Sequence, residues 1–194
     1  MSRDPKADLH HYLKAAREAL LWKLDGLSEY DVRRPLTPTG TNLLGLVKHL
    51  AGVEQEYFGA CMGRPFGETL PWIDNGDPNA DMFATAEESR EFVLSLHARA
   101  TAFADSSIEE LPLDAPGVVP WWPQDRRHVT LHLLLVHVIA ETNRHCGHAD
   151  IVRETLDGTA GLRAAVPNLP DGQDWPAHVA RVEQAAREAA ARTA

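Results

Sequence analysis

The chain has 194 residues, of which 44% are hydrophobic and 24% charged, and its formal net charge is −9. This composition excludes a disordered or fibrous chain, and the length favours one domain with a sizeable core. The negative charge argues against nucleic acid or an anionic membrane as a partner, and the absence of a signal-like or membrane-spanning apolar run predicts a cytoplasmic protein.

Helical periodicity dominates the sequence, and no segment shows the sustained apolar and polar alternation of a half-buried strand. Long connections rich in glycine and proline interrupt the helical segments at 64–84 and 106–124. The predicted helices, in chain order, are 8–27, 42–62 (capped by Thr41 or Asn42), 85–105 (capped by Thr85), 127–156 and a short one over 176–192.

This order of elements predicts an all-α fold, a four-helix bundle with long connecting loops and a short C-terminal helix. We expect a single domain over residues 1–194, with its core at about 8–157 and an extension at 158–194. The short C-terminal helix is polar enough to be a surface or interface element.

The fourth predicted helix carries a stripe of side chains that are able to bind metal. At about 100° per residue, the last of them returns to within about 20° of the first. Leu134 and Ile151 lie near the same stripe, so we expect it to face the core, where an unpaired carboxylate costs several kcal/mol of hydration. A divalent cation would remove that cost. The stripe consists of His137, Glu141, His145 and His148.

The alternative interpretation is an ordinary pair between Glu141 and His145 on a solvated face, with His148 near the favourable end of the helix dipole. The residues around His137 weaken this alternative. Segment 133–139 is apolar apart from that histidine and predicts a helix that is buried on almost every side.

The second predicted helix offers a matching histidine. His49 interrupts a nearly continuous apolar run, where a lone histidine is more often a hydrogen-bonded core residue than a ligand. Together with the stripe on the fourth helix, however, it would supply a ligand from a facing helix, as in metal sites of helix bundles. Glu56 lies seven residues further along, on nearly the same face, and is a candidate general base.

Two segments resemble the signature segments of the DinB-like metalloenzyme superfamily. They are 45–54, GLVKHLAGVE, and 137–150, HVIAETNRHCGHAD. Members of this superfamily are four-helix bundles with one histidine ligand on the second helix and two ligands four residues apart on the fourth. Glu141, where many members have histidine, resembles the mycothiol-dependent branch, which contains S-transferases and the N-terminal domains of maleylpyruvate isomerases. The resemblance covers roughly residues 8–157.

The resemblance implies that His49, Glu141 and His145 hold a divalent metal, with zinc expected and nickel as the alternative. Three N/O ligands and an open position are typical of a catalytic zinc site. His148 and Glu56 are the candidate catalytic residues. The implied activity is S-transfer, in which a metal-bound small-molecule thiol, mycothiol as in actinobacteria, attacks a small-molecule electrophile. Homodimerisation is a further property of such bundles.

Two other functions are also consistent with the sequence. A hydrolase would use metal-activated water with His148 or Glu56 as the base, and a DinB-like protein without turnover would only bind the metal. Trp72, Trp121 and Trp122 lie on the long connections and either roof a substrate pocket or pack the loops.

One cysteine lies beside a proposed ligand. Cys146 follows His145 directly, so it points about 100° away from the metal-binding stripe. We therefore expect a buried, inert thiol and not a nucleophile.

Overall fold

A computed structural model describes residues 4–70, 72, 76–167 and 169–192. This part of the chain is mostly helical, which confirms the predicted all-α class. Short 3₁₀ turns follow the first and third α-helices, at Trp22–Leu24 and Ala60–Met62. The α-helices are α1 (Pro5–Leu21), α2 (Glu29–Arg33), α3 (Leu43–Phe58), α4 (Arg90–Glu110), α5 (Leu131–Asp157) and α6 (Trp175–Ala191).

Each α-helix begins after a residue whose side chain accepts a hydrogen bond from a backbone N–H of the first turn, which satisfies a donor that the helix itself leaves free. The prediction that Asn42 caps α3 is confirmed, since its Oδ1 accepts from the N–H of Gly45 at 2.7 Å. The six caps are Asp4, Ser28, Asn42, Ser89, Thr130 and Asp174.

Several predicted boundaries are wrong. Thr85 does not cap α4, since the helix begins only after Ser89; the N–H of Thr85 donates to the carboxylate of Glu88 at 2.8 Å, as in a capping box, but no helix continues from it. That helix also continues past the predicted end at residue 105. The first helix ends six residues earlier than predicted, and the short helix α2 was not predicted.

Two short strands also lie where only irregular structure or helix was predicted. Strand β1 (Pro116–Val118) pairs antiparallel with β2 (His128–Thr130), with Gly117 opposite Val129. The second strand occupies the predicted first turn of the fourth helix, which therefore begins at Leu131 after its cap, Thr130. Strands of three residues are too short for alternation to be recognised in the sequence.

The long helices pack side by side. Helix α3 contacts both α4 and α5, and α1 packs against α5. The apolar core lies between them and includes Leu13 and Leu20 of α1, Leu46 of α3, and Leu134 and Val138 of α5.

Helices α1 and α4 are joined through charged side chains. Arg17 binds Asp105 of α4 at 2.6 Å and both carboxylate oxygens of Glu54 of α3 at 2.7 Å. His10 and Lys14 add contacts to Asp105 at 2.7 and 3.5 Å. We refer to these five residues as the ion-pair cluster.

Helix α6 has no buried residue, as expected for a surface element. Among the described residues, no helix combines the length and the apolar character needed to cross a membrane.

Candidate metal centre

Three side chains from two helices converge where α3 packs against α5. His49, Glu141 and His145 each offer one donor atom, and these atoms lie within 4.8 Å of one another. Oε1 of Glu141 is 2.9 Å from Nε2 of His145 and 3.7 Å from Nε2 of His49. We call these three residues the donor cluster. The structure thus brings together the three residues that the resemblance implies as metal ligands.

The donor cluster lies at the edge of the buried face of α5. His145 is 3% exposed, whereas the side chains of His49 and Glu141 are 20% and 22% exposed. The inward face of α5 contains Leu134, Val138 and Ala149, which are fully buried. The site is therefore partly enclosed and also reachable from solvent.

The prediction that α5 is buried on almost every side is wrong. Leu133 and Val136 are each 43% exposed, and Ile151 is 64% exposed. The predicted stripe is only partly inward, because it runs along one edge of the buried face and not along its centre. This placement leaves His49 and Glu141 partly exposed to solvent.

The protonation states of two donors suit metal binding. Burial lowers the pKa of His145 to about 4, so its imidazole is neutral at pH 7. A hydrogen bond from Arg144, assisted by His145, lowers the pKa of Glu141 to about 2. Metal ligands must be deprotonated, so both groups are already in the binding form.

A loop aspartate orients the ring of His49. Oδ2 of Asp81 lies 2.7 Å from Nδ1 of His49, and this hydrogen bond lowers the pKa of Asp81. A carboxylate only accepts, so Nδ1 carries the proton; in the neutral imidazole the lone pair is then on Nε2, which faces the donor cluster. Histidine ligands in metalloproteins commonly have this arrangement. The sequence analysis missed Asp81 because it lies among other aspartates in a connection without periodicity.

A cation of the chain itself contacts the donor cluster. Arg144 donates from Nε and Nη2 to the two carboxylate oxygens of Glu141, at 3.1 and 2.9 Å, and its Nη2 lies 3.2 Å from Nε2 of His145. Its side chain is 57% exposed, so this ion pair is open to solvent. Two histidines and a glutamate are also a known ligand set of catalytic zinc, so the residues present fit a divalent ion.

The two candidate catalytic residues lie next to the donor cluster. Nδ1 of His148 is 3.3 Å from Nδ1 of His145, on the side away from Glu141. Glu56 lines a cavity of about 250 Å³ together with His49 and Asp81. Burial and the charge of Asp81 raise the pKa of Glu56, which makes it a better proton acceptor than an exposed glutamate.

His137 lies apart from the donor cluster. Its Nε2 is 3.1 Å from the hydroxyl of Tyr57, and its ring contacts Trp122 with centroids 5.0 Å apart. Trp122 and His137 line a second cavity of about 580 Å³ with Leu133. Trp121 packs edge-on against Tyr57.

Trp72 and Cys146 are two further residues singled out in the sequence. Trp72 is almost buried and also lines the cavity beside His49, so it both packs its loop and borders a pocket. Cys146 is buried, as expected; its thiol donates to the carbonyl of Ala16 at 3.2 Å, and burial raises its pKa to about 11, which disfavours the thiolate.

Comparisons with known proteins identify the family of this chain and a solved structure that shares its fold. The model of the mycothiol-S-transferase family matches residues 8–158. A crystal structure of a conserved protein from Enterococcus faecalis superposes with a TM-score of 0.63 at 18% identity, covering 81% of this chain and all of that one, and shows a shared fold. No curated protein matches the chain significantly. Because the family match spans most of the helical core, the chain belongs to the mycothiol-S-transferase family of DinB-like proteins.

Proposed function

We propose that this protein is a metal-dependent thiol S-transferase on a four-helix-bundle scaffold, with mycothiol as the co-substrate and a small-molecule electrophile as the acceptor. The observation that carries the proposal is the convergence of His49, Glu141 and His145 within 4.8 Å, in a chain of the mycothiol-S-transferase family. These three residues are the proposed metal ligands.

Zinc is the metal we propose. The donor cluster offers two imidazole nitrogens and one carboxylate oxygen, and three protein ligands leave a position open for substrate. When bound, such an ion supplies Lewis acidity that favours the ionised form of a thiol. Without this effect, a thiol with a pKa near 8.5 is only a few per cent ionised at neutral pH.

The residues around the donor cluster provide the other parts of the reaction. Glu56 shares a cavity with His49, and we assign it as the acceptor of the thiol proton. The sulfur then gives an electron pair to the electrophilic carbon, and the leaving group departs with the electrons of the broken bond. His148 contacts His145 and is assigned to orient that ring.

The second cavity suits the electrophile. It is lined by Trp122, Leu133 and His137, and His137 lies one helical turn before Glu141 on α5. Its aromatic and aliphatic groups would contact the apolar part of an electrophile, and Arg126 and His128, which also line it, would contact a polar group. The cavity at Glu56 and Asp81 offers carboxylates to the hydroxyl and amide groups of a polar thiol.

Metal analysis and one assay test this proposal. We expect about one zinc per chain in the tag-free protein, and conjugation of monochlorobimane that requires both mycothiol and zinc. His145→Gln should lose both properties. The matched control His137→Gln removes a histidine from the same stripe but outside the donor cluster, and it should keep the zinc.

The other outcomes separate the alternatives. Zinc without thiol-dependent turnover would contradict the transferase, and activity on ester or amide substrates would then identify a hydrolase. Failure to bind zinc even after reconstitution would contradict the metal site itself.

A further inference from the structure

Lys48 immediately precedes His49 on α3, and its side chain is only 1% exposed. Its Nζ donates to the carbonyl oxygens of Ala80 and Phe83 at 2.8 and 2.9 Å, and to the carboxylate of Glu88 at 2.7 Å. An ammonium group has three N–H donors, so every donor of Lys48 is used. All three acceptors belong to residues 80–88, which we call the Asp81 segment.

The two carbonyl contacts enclose Asp81. Ala80 precedes it and Phe83 follows it by two residues, so Lys48 holds the backbone on both sides of the carboxylate. That carboxylate is the group that binds Nδ1 of His49 at 2.7 Å. Neighbouring residues of a helix point about 100° apart, which lets α3 contact the backbone of the segment with one side chain and its carboxylate with the next.

Other residues hold the Asp81 segment at the same place. A Cβ on Gly45 would lie 1.9 Å from the carbonyl oxygen of Met82, so only glycine allows α3 to approach the segment this closely. Asn42 donates to the same carbonyl at 3.1 Å. Arg33 donates to the carbonyl of Glu88 at 2.9 Å. The segment is thus anchored along its length, with Lys48 at the part that carries Asp81.

A buried ammonium group is a costly anchor. Apolar residues of similar volume often stabilise a fold as well as or better than a buried ion pair does, so stability alone gives little reason for a lysine here. A lysine with three directed donors does, however, set the position of a loop backbone more narrowly than apolar packing would.

We propose that Lys48 is a positioning residue of the metal centre. It holds Asp81 against Nδ1 of His49 and thereby keeps the lone pair of Nε2 directed at the donor cluster. This inference rests on the proposed metal site. Partners that orient a histidine ligand typically change metal affinity by about 10- to 100-fold when they are lost, and we expect Lys48 to act at the lower end of this range, through Asp81.

The test compares two buried lysines. Lys48→Met keeps an unbranched side chain that is one atom shorter and removes the three donors. Lys23→Met is the matched control. Both lysines are buried, and each lies over a tryptophan ring, Lys48 over Trp72 at 4.3 Å and Lys23 over Trp22 at 3.9 Å. Lys23 also pairs with a carboxylate, that of Asp150 at 3.0 Å. Zinc affinity of the full chain is measured by competition with a chromophoric chelator. We expect Lys48→Met to bind about tenfold more weakly, and Lys23→Met to bind like the unaltered protein.

A double-mutant cycle with Asp81→Asn identifies the route of the effect. If Lys48 acts through Asp81, the double variant should bind zinc within about threefold of Asp81→Asn alone.

In the metal-free protein, long-range ¹H–¹⁵N spectra should show His49 protonated at Nδ1, and a mixture of tautomers in Lys48→Met. Glu88→Gln loosens the same segment without leaving a cavity and serves as the second variant, with a smaller loss of affinity.

Unchanged zinc affinity in both Lys48→Met and Glu88→Gln would overturn the inference, as would fully additive losses in the cycle. In either case the unaltered protein would still bind zinc, and the proposed function would stand. Absence of zinc binding by the unaltered protein would overturn the metal site, and this inference with it.

Discussion

Helix α3 contributes to two polar clusters, and each contains a carboxylate whose negative charge is compensated by an arginine in a different way. In the ion-pair cluster, Glu54 is 1% exposed and Arg17 binds both of its carboxylate oxygens at 2.7 Å. In the donor cluster, Glu141 faces two imidazoles, and the contacting cation is the side chain of Arg144, which is 57% exposed. Glu54 is thus paired with a buried cation, Arg17, whereas Glu141 is paired with an exposed one, Arg144.

This difference separates a structural cluster from a binding site. A buried carboxylate needs a compensating charge, and a cluster that contains that charge has no use for a ligand. A cluster whose carboxylate is paired only with an exposed guanidinium is suited to an external cation.

Loss of a proposed ligand should have the largest effect. His49→Ala or His145→Ala should reduce zinc from about one per chain to a negligible amount while leaving the helical circular dichroism signal largely intact, since neither side chain lies at the centre of the apolar core. Elemental analysis after gel filtration measures the zinc. Full retention of zinc in both variants would refute the ligand set.

The ion-pair cluster should respond in the opposite way. Arg17→Met leaves Glu54 buried without its partner and should lower the free energy of unfolding by about 3 to 5 kcal/mol, with zinc stoichiometry unchanged. Urea denaturation of the metal-free protein measures the loss. The double variant Arg17→Met with Glu54→Leu should recover much of the stability, because it removes both charges together. No recovery would mean that the pair also contributes in ways that apolar packing cannot replace.

His97 is a buried histidine near Arg17 of the ion-pair cluster. It allows a test of this region that involves no metal. Burial, with the charge of Arg17, lowers the pKa of His97 from 6.5 to about 4. Between these pH values the unfolded chain binds a proton that the folded chain does not, so stability falls as pH decreases through this window. The contribution of His97 between pH 6.5 and 4.5 is about 2 to 3 kcal/mol.

His97→Gln should therefore lose less stability than the unaltered protein over the same pH interval. Urea denaturation at pH 6.5 and 4.5 compares the two proteins without added metal. Equal losses in both would show that the acid sensitivity of the fold arises elsewhere.

The smallest effect concerns Arg144. Its guanidinium donates to Oε1 of Glu141 and lies close to Nε2 of His145, and both residues are proposed zinc ligands. Arg144→Ala should therefore bind zinc more tightly, but only about two- to fivefold, because an exposed ion pair contributes at most about 1 kcal/mol. Arg187→Ala, which breaks an exposed ion pair with Glu183 on α6, is the control. Weaker zinc binding in Arg144→Ala would mean that the guanidinium supports the site.

The sequence was most informative where structure depends on neighbouring residues. Asn42 was recognisable as a cap because capping uses a side chain and the N–H three residues later. Glu141 and His145 were predicted on one face because four residues make about one helical turn. The start of α4 shows the limit. Thr85 has the local features of a cap, including the contact of its N–H with Glu88, but Lys48 of another helix also binds that carboxylate and α4 begins only after Ser89.

By itself, then, the sequence determined the helical class, the spacing of Glu141 and His145, and the resemblance that led to the family. Only the tertiary structure decided that Ile151 faces solvent, that Asp81 binds His49, and that Arg17 neutralises Glu54. The physical reason is the range of the interactions. Helical periodicity is set within a few residues, whereas the contacts of Asp81 and Arg17 join groups 32 and 37 positions apart, which meet only after α3 has packed against its neighbours.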